Sequence, residues 1–158
     1  MGHHRFVVDI NAPRDQVWRL WTNLDRAHEW IEGLSKVTDV SGPTDRPGTT
    51  YLVHFGTWSK SPSTIVEAMP PRFIRTKFGT WLLRGEQTAT FEETPAGTRL
   101  IQTFDTEGVI PAITARIFGL GSYKGSFRGE LEHFKEICER EVNGVGEADE
   151  VSKPHPRA

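Results

Sequence analysis

A lone strand-like run, two short amphipathic helices, six further strand-like runs and one long amphipathic helix follow one another along this chain. That order constrains the fold more than any single motif does. Short strands gathered between helical segments argue for an α+β domain with an antiparallel sheet. A curved sheet gripping one terminal helix encloses an apolar hollow, and such a hollow is a ligand site by default.

The first strand is written in Phe6, Val8 and Ile10, which alternate with Arg5, Val7 and Asp9. Asn11-Ala12-Pro13 switches the period, and Pro13 suits a first helical turn because its missing N–H has no partner to lose there. Val17, Leu20, Trp21 and Leu24 then fall on one helical stripe. Asp25 is expected to cap a second, shorter helix carrying Ala27, Trp30 and Ile31 and stopped by Gly33.

The middle of the chain reads as β. Weak strand character spans Lys36 to Val40, and Tyr51, Val53 and Phe55 alternate with Thr50, Leu52 and His54. Thr64 to Ala68 follows, then Ile74, Thr76 and Phe78 opposed by Arg75 and Lys77. The two charges assign the outer face, so Ile74, Thr76 and Phe78 point inward. Gln87, Ala89 and Phe91 share one side of the next strand, and Thr98 to Thr106 forms the last. Helical periodicity returns from about Pro111, where Phe127, Leu131, Phe134 and Cys138 make an apolar stripe. The helix is expected to end near Asn143-Gly144. This divides the chain into one domain over residues 1–143 and a disordered tail over 144–158, rich in Gly, Pro and charge.

Composition removes several function classes. With 19 basic against 21 acidic residues, the 158-residue chain carries no electrostatic footprint for nucleic acid. One cysteine, Cys138, excludes an internal disulfide and fits a reducing compartment. No run is long and apolar enough for a signal peptide or a membrane span, and Phe6 stands where a myristoylation signal needs Ser or Thr. The expectation is a cytoplasmic protein.

Four segments resemble the START-like, or polyketide cyclase/dehydrase-like (SRPBCC), superfamily. They are Ile10-Asn11-Ala12-Pro13-Arg14-Asp15-Gln16-Val17-Trp18; Trp30 after the second short helix; Pro95-Ala96-Gly97-Thr98-Arg99-Leu100; and Leu131-Glu132-His133-Phe134-Lys135 with Glu139. The resemblance covers residues 5–143. It implies the helix-grip fold: a curved, seven-stranded antiparallel sheet around a long C-terminal helix, with an internal cavity. The superfamily hosts lipid carriers, hormone binders, aromatic cyclases and chaperone co-activators, so the fold alone assigns no reaction.

Inside such a fold the candidate ligand contacts are Tyr51, Val53, Phe55, Thr76, Phe78, Gln87, Phe91, Gln102 and Phe104 from the strands. Phe118, Tyr123 and Phe127 join them from the helical segment. In a filled core the same aromatics are ordinary packing residues. A one-residue slip of register would send the polar members outward and bring His54, Thr103 and Asp105 in. Gly121, Gly125 and Gly129 lie on one helical stripe, which reads either as room for a ligand or as close helix-on-sheet packing. Trp58 and Trp81, near hairpin tips, either rim a pocket mouth or fold back on the sheet.

Catalytic constellations fail. Glu130 and His133 form one acidic–histidine pair on what reads as a solvated helix face. His3 and His4 stand at an exposed end, and Ser126 sits one place too early for a nucleophile elbow. Cys138 faces the core, where a thiol is inert. Neither a Rossmann nor a Walker pattern is present, so no cofactor and no metal is expected. The leading expectation is a protein that binds a hydrophobic or aromatic small molecule between the helix and the sheet. A cyclase/dehydrase-like enzyme using the same cavity is the first alternative, and a protein-interaction module is the second. The oligomeric state is open.

Overall fold

β1 (Gly2–Ile10) lies along one edge of a seven-stranded sheet, and β2 (Leu34–Thr38) lies along the other. Between them the chain passes through α1 (Arg14–Thr22) and a single 3₁₀ element, α2 (Leu24–Glu29). From β2 it meanders through β3 (Thr50–Phe55), β4 (Ser59–Met69), β5 (Phe73–Gly79), β6 (Arg84–Thr94) and β7 (Gly97–Glu107), which pairs with β1. All pairs are antiparallel. The closing helix is α3 (Tyr123–Ser152). The computed structural model describes residues 2–57, 59–80, 84–107 and 123–152. The result is the α+β helix-grip architecture, with a curved open sheet.

The sheet bends where its ladder is interrupted. β4 carries an irregularity between Ile65 and Glu67, and β2 another between Leu34 and Lys36. An extra residue on one strand sharpens the local twist. At Ser35 the hydroxyl donates to the carbonyls of His54 (3.1 Å) and Gly56 (3.0 Å), which ties that edge down.

Alternation along the strands is the one expected from the charges of β5. Phe6, Val8 and Ile10 of β1, Ile65 of β4, Ile74 of β5, Ala89 and Phe91 of β6, and Leu100 and Phe104 of β7 are buried on one face. The opposite face is laced by cross-strand ion pairs, Arg99–Asp9 (2.9 Å), Arg84–Glu107 (3.2 Å), Arg75–Glu67 (3.2 Å) and Lys77–Glu86 (3.6 Å). Thr103 meets Thr88 there, and Asp105 meets His3. His4 departs from the expectation of an exposed end. It shares the inner row of β1 with Phe6, and the two rings are stacked at 6.4 Å.

Local signals at the helix ends need three corrections. Pro13 occupies the position just before α1, where its carbonyl accepts from the N–H groups of Gln16 and Val17. The second helix is a 3₁₀ turn that begins after Asn23, so Asp25 lies inside it rather than capping it, and Trp30 and Ile31 follow its end. α3 runs past Asn143-Gly144 to Ser152. A glycine inside a helix costs only about 1 kcal/mol against alanine, and the Glu- and Ala-containing stretch beyond it favours helix, so the signal is too weak to stop the chain.

One corner is held by close approach. Gly97 has φ of 150°, and a Cβ there would stand 2.7 Å from the Ala12 nitrogen and closer still to the Ile10 carbonyl. Beside it the Thr98 hydroxyl donates to the Ala12 carbonyl at 2.8 Å. The β6–β7 turn thus seats the β1-to-α1 corner, which aims α1 across the sheet.

Candidate functional site

The inner face of the sheet has two unlike ends. At the α1 end it is solid: the Phe134 ring of α3 meets Trp21 (5.1 Å, 88°) and Trp30 (5.0 Å, 69°) edge-on. Phe91 meets Trp18 (5.3 Å) and Trp21 (6.0 Å) in the same way. Phe134, Leu100 and Val17 have no exposed surface and Phe91 has 1%. Edge-to-face rings at these separations add roughly 0.5–1.5 kcal/mol per pair beyond burial. Phe91, expected as a ligand contact, is therefore a packing residue of this closed end.

Toward β3 and β5 the same face loosens. Tyr51, Val53, Phe55 and Phe78 pack on the core with only partial burial, and Thr76 and Gln87 are likewise half-buried. These side chains lie on the inner face of the sheet, yet they keep accessible surface.

Small residues let the large ones lie flat. Tyr51 stands opposite Ser63, and Ile65 opposite Thr76. Tyr51 thus lies on the same face as Ser63 and Thr76. Burial lifts this phenol above its ordinary value, while those two hydroxyls pull the other way. Phe78 stands opposite Gly85 and reaches Phe104, with ring centroids 6.1 Å apart at 73°. Gln102 is 4% exposed between Ala89 and Phe6.

Tyr51, Val53, Phe55, Thr76, Phe78, Gln87, Gln102 and Phe104 therefore share one face as expected. Phe118, Trp58 and Trp81 lie outside the described residues, as do the side chains of Tyr123 and Phe127. Gly129 faces open space: a Cβ there would meet nothing within 4 Å, so close packing does not explain this glycine.

Sequence reasoning missed Ser63 and Glu130. Pro62, which pairs with Leu52 inside the β3–β4 ladder, hid the strand that carries Ser63, because proline ordinarily ends a strand. Glu130 reads as solvated, but it sits one turn before Phe134 on the same helix face. Burial, reinforced by the like charge of Glu32, pushes its carboxyl up to about 8, although the Glu32 N–H donates to it. Its offset from the Phe127–Phe134 stripe was the available signal. His133, its expected partner, is exposed. Cys138 is buried, and burial with Glu141 and Glu139 pushes its thiol up to about 12, which leaves it unreactive.

Among the described residues no helix is long and apolar enough to cross a membrane. None of the curated proteins matches the chain. Solved structures do: an aromatase/cyclase, ZhuI, from Streptomyces sp. R1128 superposes with a TM-score of 0.71 at 16% identity, covering 92% of this chain and 98% of that one. Protein MLL2253 from Mesorhizobium loti gives 0.71 at 17% identity, covering 88% and 98%. The di-domain aromatase/cyclase StfQ from the steffimycin biosynthetic pathway gives 0.67 at 15%, covering 89% of this chain and 52% of its own. At such identities the likeness is one of fold. The family model for polyketide cyclase/dehydrase and lipid transport matches residues 1–139, and the chain belongs to that family.

Proposed function

We propose that the protein binds a hydrophobic, aromatic small molecule on the inner sheet face between β3 and β7, beneath α3. The observation that carries this reading is the burial gradient: inward rings at Tyr51, Phe55 and Phe78 stay partly accessible while Phe91, Leu100 and Phe134 are sealed. Apolar walls with a few placed polar groups, here Tyr51, Thr76, Gln87 and Gln102, suit an oriented apolar ligand. Affinity then comes from burial, on the order of 25 cal/mol per Å² of apolar surface. Native mass spectrometry of gently purified full-length protein tests the reading. A co-purifying small molecule that is lost from Tyr51→Ala and Phe78→Ala, and retained by an outer-face Lys77→Ala control, supports it. Retention by all three would place the ligand elsewhere.

Glu130 favours a second reading, a cyclase/dehydrase-type enzyme. A carboxyl held neutral at pH 7 donates a proton or a hydrogen bond to a carbonyl oxygen, as general acid catalysis requires. A protein-interaction module fits less well, because the outer face presents ion pairs rather than an apolar patch.

A further inference from the structure

We infer that two copies of this chain associate through the free edge of β1, antiparallel and two-fold about Val7, so that their sheets run on into one another. This contact is independent of the ligand reading above.

The two edges of the sheet are built differently. β2 is five residues long, and its pairing is broken by the irregularity between Leu34 and Lys36. β1 runs for nine residues in unbroken register against β7, from Gly2↔Thr106 to Ile10↔Thr98, and contains no proline. Short or bulged strands blunt an edge, whereas a long regular one offers a row of N–H and C=O groups to any matching strand. Among the described residues, β7 is the one strand bonded to β1. α3 also packs against β1, and the buried side chains of the strand are the inner ones, Phe6, Val8 and Ile10. His3, Arg5, Val7 and Asp9 stay exposed on the outer face, Val7 at 46%.

Those outward residues make the strand its own complement. Antiparallel strands related by a two-fold axis normal to the sheet set inner residues against inner and outer against outer. With the axis at Val7, Arg5 stands opposite Asp9 of the second copy, and Asp9 opposite its Arg5. Val7 then meets Val7, and on the inner side Phe6 meets Val8. Moving the axis to Arg5 or Asp9 puts like charges face to face, and moving it to Phe6 or Val8 sets a charge against Val7. Opposite charges and apolar pairs directly across a ladder stabilise it, and like charges destabilise it. Both charges have room for the extra partner. Arg5 faces Thr103 across β7 and takes part in no ion pair among the described residues. Asp9 gives Oδ1 to Arg99 at 2.9 Å, which leaves its second oxygen to accept from the incoming guanidinium. Ile101 stands directly behind Val7, so each copy brings two apolar residues to the axis.

A single strand pair is a small interface, so the dimer is expected to be weak and concentration-dependent. Sedimentation velocity of the full chain across the micromolar range tests this. Val7→Lys sets two ammonium groups together at the axis, and Arg5→Glu places a carboxylate against Asp9 of the other copy. Each is expected to weaken association at least about tenfold, and Asp9→Lys to do the same. Mixed together, the Arg5→Glu and Asp9→Lys proteins are expected to form a mixed dimer, because opposite signs then meet at both ends of the contact. Lys36→Glu, on the β2 edge, is expected to leave association unchanged. Circular dichroism melts confirm that the variants fold. A parent chain that stays monomeric throughout overturns the inference. So does a dimer that survives Val7→Lys and Arg5→Glu, a dimer that Lys36→Glu weakens as much, or a mixture that yields no mixed dimer.

Discussion

The Phe78 ring lies across the backbone of Gly85 on the neighbouring strand. A Cβ built on Gly85 would stand 2.9 Å from Cζ of Phe78 and 3.2 Å from Cα of Thr106, and closer still to the Asp105 carbonyl. The missing side chain is what lets the ring reach Phe104 beyond it. Gly85→Ala is therefore expected to lift Phe78 off the sheet and destabilise the fold by roughly 1–3 kcal/mol, in the manner of an overpacked core. Urea unfolding at constant m-value checks this, and an unchanged midpoint would show that the ring does not depend on the bare backbone.

The two ends of the inner face predict different responses to the same truncation. Phe134 is fully buried between Trp21 and Trp30, so Phe134→Ala opens a cavity with no water access and is expected to cost about 3–5 kcal/mol. Phe78 already keeps part of its surface, so Phe78→Ala is expected to cost clearly less. Chemical denaturation of both variants gives the ranking. Equal losses would mean that the face is uniformly packed and has no looser end.

How much of this was legible in the sequence depends on which residues carried a sign. Arg75 and Lys77 fixed the phase of β5, and antiparallel pairing transmits that phase through Thr76↔Gln87 and Gln87↔Phe104 to the whole sheet. The resemblance segments were legible for a related reason. Ala12 and Gly97-Thr98 touch in the fold, so both ends of one contact were written in recognisable residues. The split of the inner face into a closed and a looser end was not legible. Phe91 and Phe78 look alike as inward aromatics, and what separates them is whether Trp18 and Trp21 come to meet the ring. Glu130 was legible only through its offset from the Phe127–Phe134 stripe, because the burial that shifts it, and the Glu32 beside it, come from parts of the chain far away in sequence.

Glu130 gives stability a pH dependence of definite sign. Folded, it binds its proton up to about pH 8; unfolded, only up to about its ordinary 4.5. Between those values the folded state holds more protons, so this group's contribution falls as pH rises from about 4.5 to about 8 and then levels off. Glu130→Gln keeps an acceptor for the Glu32 N–H and removes the ionisation. The variant is expected to be more stable than the parent at pH 8.5, by on the order of 1–3 kcal/mol, and to match it near pH 4. Urea midpoints measured across this range decide the matter. A parallel pH profile for both proteins would mean that the carboxyl is solvated.

Two glycines make opposite predictions under the same substitution. Gly129 lies within α3, and a Cβ there meets nothing within 4 Å, so Gly129→Ala relieves backbone entropy without a steric penalty. It is expected to stabilise the protein by roughly 0.5–1 kcal/mol, raising the melting temperature by a few degrees. Gly97→Ala meets the Ile10 carbonyl and the Ala12 nitrogen at φ of 150°, a backbone state that L side chains rarely adopt. It must either push the β1-to-α1 corner off the β6–β7 turn or strain the turn itself, and the expected cost is about 1–3 kcal/mol. Because the Thr98 hydroxyl bonds to Ala12 in the same corner, Gly97→Ala and Thr98→Val are also expected to be non-additive. Melting curves of the single and paired variants supply the test, and additive losses would mean that turn and corner are held independently.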